Sequence, residues 1–478
     1  MKLSVVAMTA LIGSSVEGMH TTEGLWHGFL GNSFEAVMNY MSWNEEKSTV
    51  FGLKHPNPAN KDNVVPEGMC DNVNSVSGYY PATKNKKYWY WAFESRNDPE
   101  NDPVVLWMTG GPGCSSQIAL FMENGPCQIN DDRKTTRPNP YSWNMRANMI
   151  YIDQPAGVGF STGPVNDTGE WDVAPEMYSF LQAFFNANPN LRDNDFYVFG
   201  ESYGGHYVPA VSSLIQKNNI EIKSDPDINL KGIGIGNGMV DPEMQEPQYA
   251  EYAKYNSYNR LVNETTYENM KKTSEECLKQ ISTGVCKRGS NPADCEKTLG
   301  VCAGGSMGPI HEANYNQYDV REKCTIKPLC YDFSAVNEYL NNDYIRECLG
   351  VETELDWEPC SPKFEKLFMF DRMASYASNV TLLLEEGIRV LVYAGEADYI
   401  CNWMGNRAWV DALSWHGKAG MNAAVDRPFI VAGKEAGIVK NFDIFTFLTV
   451  HDSGHMVPLD QPEAALALFN TFIEEKSF

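Results

Sequence analysis

A series of short apolar runs, each ending in glycine or acidic punctuation, constrains this chain more than any other feature. They are "PVVLWMTGG", "NMIYIDQPAG", "NDFYVFGES", "LKGIGIGNG", "IRVLVYAGEAD" and "FTFLTVHDSGH". Continuous apolar strands suit a sheet buried on both faces rather than one with a wet face. Helical patterns such as "APEMYSFLQAFFNANP" and "VPAVSSLIQK" separate several of them. The alternation predicts an α/β fold with a mostly parallel central sheet and helices on both faces. Ahead of it, "SVSGYYPATKNKKYWYWAFES" reads as an aromatic-rich hairpin turning near Lys84 and Asn85.

One region breaks the rhythm. Residues 241–360 show no clear sheet strand and hold eight cysteines: Cys277, Cys286, Cys295, Cys302, Cys324, Cys330, Cys348 and Cys360. The strand pattern resumes at "IRVLVYAGEAD", so the segment reads as a disulfide-stapled cap inserted after the sixth strand of a catalytic domain spanning 66–478. The N-terminus is different again. "MKLSVVAMTALIGSSVEG" has a lysine, an apolar run and then small residues, the pattern of a signal peptide over residues 1–18. Residues 19–65 are either a pro-segment or an ordinary extension. No later apolar run reaches the roughly 18 to 20 residues that span a bilayer.

Compartment and charge agree with that reading. The twelve cysteines fit an oxidising route, the secretory pathway. Sequons at Asn166, Asn263 and Asn379 are candidate glycosylation sites there. The formal net charge of -24 argues against nucleic acid and against an anionic membrane surface as partners, because both reward an excess of Lys and Arg. An acidic compartment and a merely soluble acidic protein account for this charge equally well.

The chemistry centres on "VFGESYGGHY". Gly200, Glu201, Ser202, Tyr203 and Gly204 satisfy G-x-S-x-G between a strand and a helix pattern, the setting of a nucleophile elbow. Ser202 needs a base, and the chain has eight histidines. His20, His27 and His55 lie ahead of the catalytic domain, His206 is too close behind the elbow, His311 falls in the cap, and His416 has no strand nearby. Of His451 and His455, the second sits in the loop beyond the last strand, after Gly454, and is preferred. Between serine and histidine, "RVLVYAGEADYICNW" offers Glu396 and Asp398, and Asp398 lies further out on its loop. The order Ser202, Asp398, His455 is that of α/β-hydrolases. For an oxyanion hole, "LWMTGGPGCSS" supplies the Gly111 N–H as partner to that of Tyr203.

These motifs together resemble the serine carboxypeptidases. "WMTGGPGCSS", "ENGPC", "DQPAGVGFS", "GESYGGHY", "GEADYICNW" and "GHMVPLDQP" carry the resemblance, which extends from about residue 70 to the C-terminus. It implies release of the C-terminal residue of peptides at acid pH through an acyl-enzyme, without a cofactor or metal, in a lysosome, vacuole or secreted fluid. It also gives a role to the carboxylate beside the nucleophile. Glu201, paired with Glu123 of "FMENGP", would hydrogen-bond the substrate's free carboxylate in its protonated form. Thr109, where the family's pattern has Asn, and the Gly110 N–H would assist. By the same resemblance Tyr318, Tyr331, Met122 and Met456 would line the pocket of the released residue, and Ile400 and Cys401 that of the preceding one. It further implies bridges Cys114–Cys360 and Cys324–Cys330, two bridges among Cys277, Cys286, Cys295 and Cys302, and a free thiol at Cys401. Of the cysteines left over, Cys70 is expected to pair with Cys127, which leaves Cys348 unpaired. The alternatives are an acyltransferase or esterase on the same scaffold, or a non-catalytic stabilising partner of other lysosomal enzymes.

Overall fold

The computed structural model describes residues 65, 66, 68–221 and 226–478. The expected signal peptide, all but the last residue of the 19–65 segment, and His20, His27 and His55 lie outside them. In chain order the strands are β1 (Ser75–Thr83), β2 (Lys86–Phe93), β3 (Val104–Thr109), β4 (Cys127–Ile129), β5 (Thr136–Pro138), β6 (Asn148–Ile152), β7 (Phe196–Glu201) and β8 (Leu230–Gly236). They continue with β9 (Tyr315–Asn316), β10 (Asp319–Lys323), β11 (Arg389–Gly395), β12 (Arg427–Val431), β13 (Lys434–Phe442) and β14 (Phe445–Val450).

Ten of these form one sheet in the order β1-β2-β6-β3-β7-β8-β11-β14-β13-β12. From β6 to β14 neighbouring strands run parallel, and an antiparallel pair flanks each side. The β1–β2 hairpin turns at Lys84 and Asn85. The β12–β13 pair is absent from the sequence expectation. It lacks a continuous apolar run because exposed Arg427, Lys434 and Glu435 interrupt it at the solvated margin of the sheet.

Period-two alternation explains how the sheet is covered. In β7, Tyr197 and Phe199 meet the helix Pro462–Ile473 through Phe469 and Phe472. Val198 and Gly200 point the other way, where Gly200 leaves room for Val208 of the helix Gly204–Glu221. Trp143 stacks on Phe469 at 4.2 Å between ring centroids, closing the first face. On the second, Glu170–Ala187, Gly204–Glu221 and Ala377–Glu385 pack side by side. Fully buried Trp89, Trp91, Trp107 and Trp143 give the core its bulk. Each large buried side chain is worth about 1.5–3 kcal/mol.

Between β8 and β11 the chain leaves the sheet. The first half of the helix Glu264–Ser282 joins an apolar cluster through Tyr267 and Met270, but where its second half packs on the helix Pro292–Ser306 little apolar surface is buried. Their small clusters are built on the cystines themselves: Cys277 and Cys302 with Ile281, and Cys286 and Cys295 with Met369. So thin a core needs covalent support. Cys277–Cys302 closes a 25-residue separation and Cys286–Cys295 one of 9. In the chain-entropy account each bridge of this kind contributes about 3 kcal/mol. Cys324–Cys330 closes a small loop, Cys114–Cys360 ties the Gly-rich loop after β3 to the segment's end, and Cys70–Cys127 joins the N-terminal approach to β4. Cys348 and Cys401 are the free cysteines.

Candidate active site

Ser202 sits at the turn between β7 and the helix Gly204–Glu221, with φ of 64°. A non-glycine residue in the left-handed region is strained unless its surroundings hold it there. They do. The Ser202 N–H donates to the Gly236 carbonyl at 3.0 Å, and the Ser202 carbonyl accepts from Gly205 and Met239 at 2.9 Å each. A Cβ on Gly110 would overlap the Tyr203 nitrogen, the Glu201 carbonyl and the Ser202 side chain, so only glycine lets the β3 loop lie against the elbow. Gly111 has φ of 112°, again a glycine conformation. Among the described residues neither the Gly111 nor the Tyr203 N–H donates to a protein acceptor. The Tyr203 side chain is fixed from below: its hydroxyl donates to Asp371 at 2.7 Å, as does that of Tyr376 at 2.6 Å.

Asp398 and His455 meet beside this turn. The His455 Nδ1 lies 2.8 Å from Asp398 Oδ2, and both side chains are buried. The same oxygen accepts from Asn237 Nδ2 at 2.8 Å and from the Cys401 N–H at 3.3 Å, while Oδ1 accepts from the Ile400 N–H at 3.1 Å. With that many donors Asp398 holds the imidazole in one tautomer, protonated at Nδ1 and free to accept at Nε2. Cys401 links the two halves. Its thiol faces Ser202, and its sulfur, an Asp398 oxygen and a His455 nitrogen lie within 4.8 Å of one another. A soft metal cation captured there would occupy the imidazole itself. Burial pushes the Cys401 thiol well above its usual range, so at neutral pH it is a protonated, neutral neighbour.

The other histidines among the described residues are engaged elsewhere. His206 is buried, lies 2.6 Å from the Met239 carbonyl and stacks on Tyr203. His451 pairs with Glu396 and Glu435, the acid left aside in favour of Asp398 among them. His416 pairs with Glu385, and His311 with Gln317.

Glu201 and Glu123 are buried carboxyls, 2% and 3% exposed, and neither forms an ion pair with a Lys or Arg among the described residues. Both Glu123 oxygens and Glu201 Oε2 lack a hydrogen-bond donor if the two groups are ionised. A proton between them supplies the missing partner. Burial pushes Glu123 up to about 7. Burial and then the neighbouring Glu123 charge push Glu201 well above the carboxylate range. Thr109 pairs with Glu201 in the β3–β7 register, and its hydroxyl accepts from Trp107 Nε1 at 3.0 Å, which leaves the O–H free to donate. Tyr318 packs on His455 at 5.1 Å and on Tyr331 at 5.3 Å. Met456 follows His455, half-buried Met122 precedes Glu123, and the Ile400 carbonyl accepts from Tyr249 at 2.7 Å.

The comparisons with known proteins decide the family. The serine carboxypeptidase model matches residues 66–475. The chain belongs to the serine carboxypeptidase family. It is a peptide hydrolase with the α/β-hydrolase architecture. It is 41% identical over 420 residues to serine carboxypeptidase-like 49 of Arabidopsis thaliana, covering 86% of this chain and 79% of that protein. To carboxypeptidase Y of Komagataella phaffii it is 40% identical over 410 residues, 84% of this chain and 76% of that one. The crystal structure of a prohormone-processing carboxypeptidase from Saccharomyces cerevisiae superposes with a TM-score of 0.72 at 24% identity, over 89% of this chain and 94% of the other.

Three supports of this serine carboxypeptidase site were not anticipated from sequence: Asn237, Asp371 and the β9–β10 hairpin. Asn237 had a signal, since it ends the "GIGIGNG" run as other site residues end theirs. Asp371 and the hairpin had none. The sequons are placed unequally. Asn166 and Asn263 are exposed, with the Asn263 oxygen capping a helix at Thr266, while half-buried Asn379 donates its amide to Ser213 at 2.7 Å. Asn166 borders an open cleft of about 500 Å³ around Lys86, Asp167 and Glu176, which no residue of the Ser202 site lines.

Proposed function

We propose that this serine carboxypeptidase uses Ser202 as nucleophile, His455 as general base and acid, and Asp398 to orient and charge-stabilise the imidazole. Ser202 attacks the carbonyl of the last peptide bond while His455 takes its proton. The oxyanion is met by the Gly111 and Tyr203 N–H groups. His455 then protonates the departing amino group, and water hydrolyses the acyl-enzyme by the same route in reverse roles. The observation that carries the exopeptidase reading is the buried Glu201–Glu123 pair beside the nucleophile. Burial and mutual repulsion keep the pair protonated at acid pH, where it donates to the substrate's C-terminal carboxylate, with Thr109 and the Gly110 N–H beside it. As pH rises and the pair ionises, its negative charge repels the same group. Tyr318, Tyr331, Met122 and Met456 form an apolar wall for the released residue, and Ile400 and Cys401 border the preceding one.

The same reading assigns residues 1–18 as signal peptide, 19–65 as a pro-segment or an ordinary N-terminal extension, and 241–360 as a cap on the 66–478 catalytic domain. Five disulfides support passage through the secretory pathway. Among the described residues no helix is long and apolar enough to cross a membrane. The deciding assay gives the mature enzyme an N-blocked dipeptide and its C-terminal amide at pH 5 and pH 8. Release of the free amino acid at pH 5 with a steep loss at pH 8, against a shallow change for the amide, supports the reading. Equal pH dependence for both substrates removes its basis.

A further inference from the structure

Asp398 and His455 reach the site on two separate loops, and both are bound by the β9–β10 hairpin. The Gln317 carbonyl accepts from the N–H groups of Tyr399 and Ile400 at 3.2 and 2.9 Å. The Val320 N–H donates to the Ala397 carbonyl at 2.9 Å, and the His455 N–H donates to the Tyr318 carbonyl at 2.8 Å. The two loops also meet directly, the Ala397 N–H donating to the Ser453 carbonyl at 2.7 Å. A Cβ on Gly454 would run into the Tyr318 carbonyl at 2.5 Å and the Asp319 side chain at 3.0 Å, so the histidine loop is pressed flat on the hairpin.

One side chain closes this assembly. Arg321 Nε lies 2.9 and 3.1 Å from the two Asp319 oxygens, a fork within its own strand that fixes the guanidinium's direction. Nη1 donates to the Asp452 carbonyl at 2.6 Å, and Nη2 reaches Asp460 Oδ2 at 3.2 Å. That Asp460 oxygen accepts the Gly454 N–H at 2.5 Å. The guanidinium therefore grips the 452–460 loop at both ends, three residues before His455 and five after it. Only a planar group with several donors in a fixed fork can meet all three partners at once.

We propose that Arg321 is a positioning residue for the hydrolytic reaction: by joining β10 to both ends of the 452–460 loop, it sets where the His455 ring stands relative to Asp398 and Ser202. The inference rests on His455 being the general base. Main-chain bonds to Tyr318 and from Ala397 hold the middle of the loop, Tyr258 and Gln461 also bond Asp452, and the guanidinium alone spans from β10 to both ends of the loop. A base displaced by about 1 Å loses roughly 100-fold in rate.

The test compares Arg321→Ala, Arg321→Lys and Asp460→Asn in the mature enzyme, on a blocked dipeptide and on a blocked amino-acid ester. For Arg321→Ala, kcat should fall about 10- to 100-fold on both substrates while KM stays within about threefold. Arg321→Lys should recover part of that, since an ammonium can hold Asp319 or Asp460 but not the Asp452 carbonyl as well. A wild-type kcat for folded Arg321→Ala overturns the proposal, as does a loss confined to KM. Should Arg321→Ala fail to fold, Asp460→Asn decides: a severalfold lower kcat supports the clamp and an unchanged one overturns it. Ser202→Ala, assayed alongside, separates the two layers. If it keeps activity, the triad itself is wrong. If it is inactive while Arg321→Ala turns over normally, only the clamp is wrong.

Discussion

The two sides of the proposed triad are anchored to different parts of the molecule. Ser202 is held by the α/β core: by Gly236 at the end of β8, by Met239 just after it, by Gly205 of the following helix, and by Gly110 pressed in from the end of β3. Asp398 and His455 are held mostly by the inserted segment, through Gln317, Tyr318, Val320 and Arg321, with Asn237 as their one tie to β8. Nucleophile geometry is thus a property of the α/β core, and base geometry a property of the cap seated on it. A segment that reads as a substrate-pocket wall is also part of the frame that aligns the proton-transfer groups.

That contrast can be broken by experiment. Ser202→Ala should cost the most, on the order of 10⁶-fold in kcat on peptide and ester alike, because no other group can form the acyl-enzyme. Single-turnover kinetics measure it, and residual acylation would contradict the core side of the comparison. Next come two matched intrusions, Gly110→Ala against the elbow and Gly454→Ala against the hairpin. Each should lower kcat by about 100-fold. If Gly454→Ala is silent, the cap does not set the histidine's position.

Glu201→Gln addresses the substrate end of the core. An amide donates at every pH, so the variant should lose roughly 10-fold in kcat/KM on peptides at pH 5, keep its esterase activity, and show a peptidase optimum moved upward. A peptidase pH profile unchanged from wild type would remove Glu201 from carboxylate recognition. The smallest effect is on stability. Burial holds Glu123 and Asp153 at about 7, above the ordinary carboxyl range. Between about pH 4.5 and 7 the folded chain therefore keeps protons that the unfolded chain releases. Their contribution is fully present below the ordinary carboxyl pKa and is lost as pH rises through 7. Tm should fall by a few degrees, on the order of 2–8 °C, from pH 5 to pH 8, and Glu123→Gln should flatten that slope in a calorimetric scan.

Much of this was legible before any coordinates. The six apolar runs appear as β3, β6, β7, β8, β11 and β14, the parallel part of the sheet, because burial on both faces leaves an unbroken apolar signature. The strands β12 and β13 were missed because a half-exposed edge pair mixes charges into its pattern. At the site, the elbow was readable because its requirements are local: small residues at Gly200 and Gly204 and a strand-to-helix turn between them.

By itself, then, the sequence determined the fold class, the elbow, and the identities of the acid and histidine placed beside one another, since each follows from residues adjacent in the chain or from their order along it. Only the tertiary structure decided what holds them there. Arg321 lies 131 residues from Asp452, and Asp371 lies 168 from Tyr203. Neither pairing leaves a periodicity or a motif. A hydrogen bond of this kind depends on where two loops come to rest after the sheet and the cap have packed, and nothing local to either residue records it.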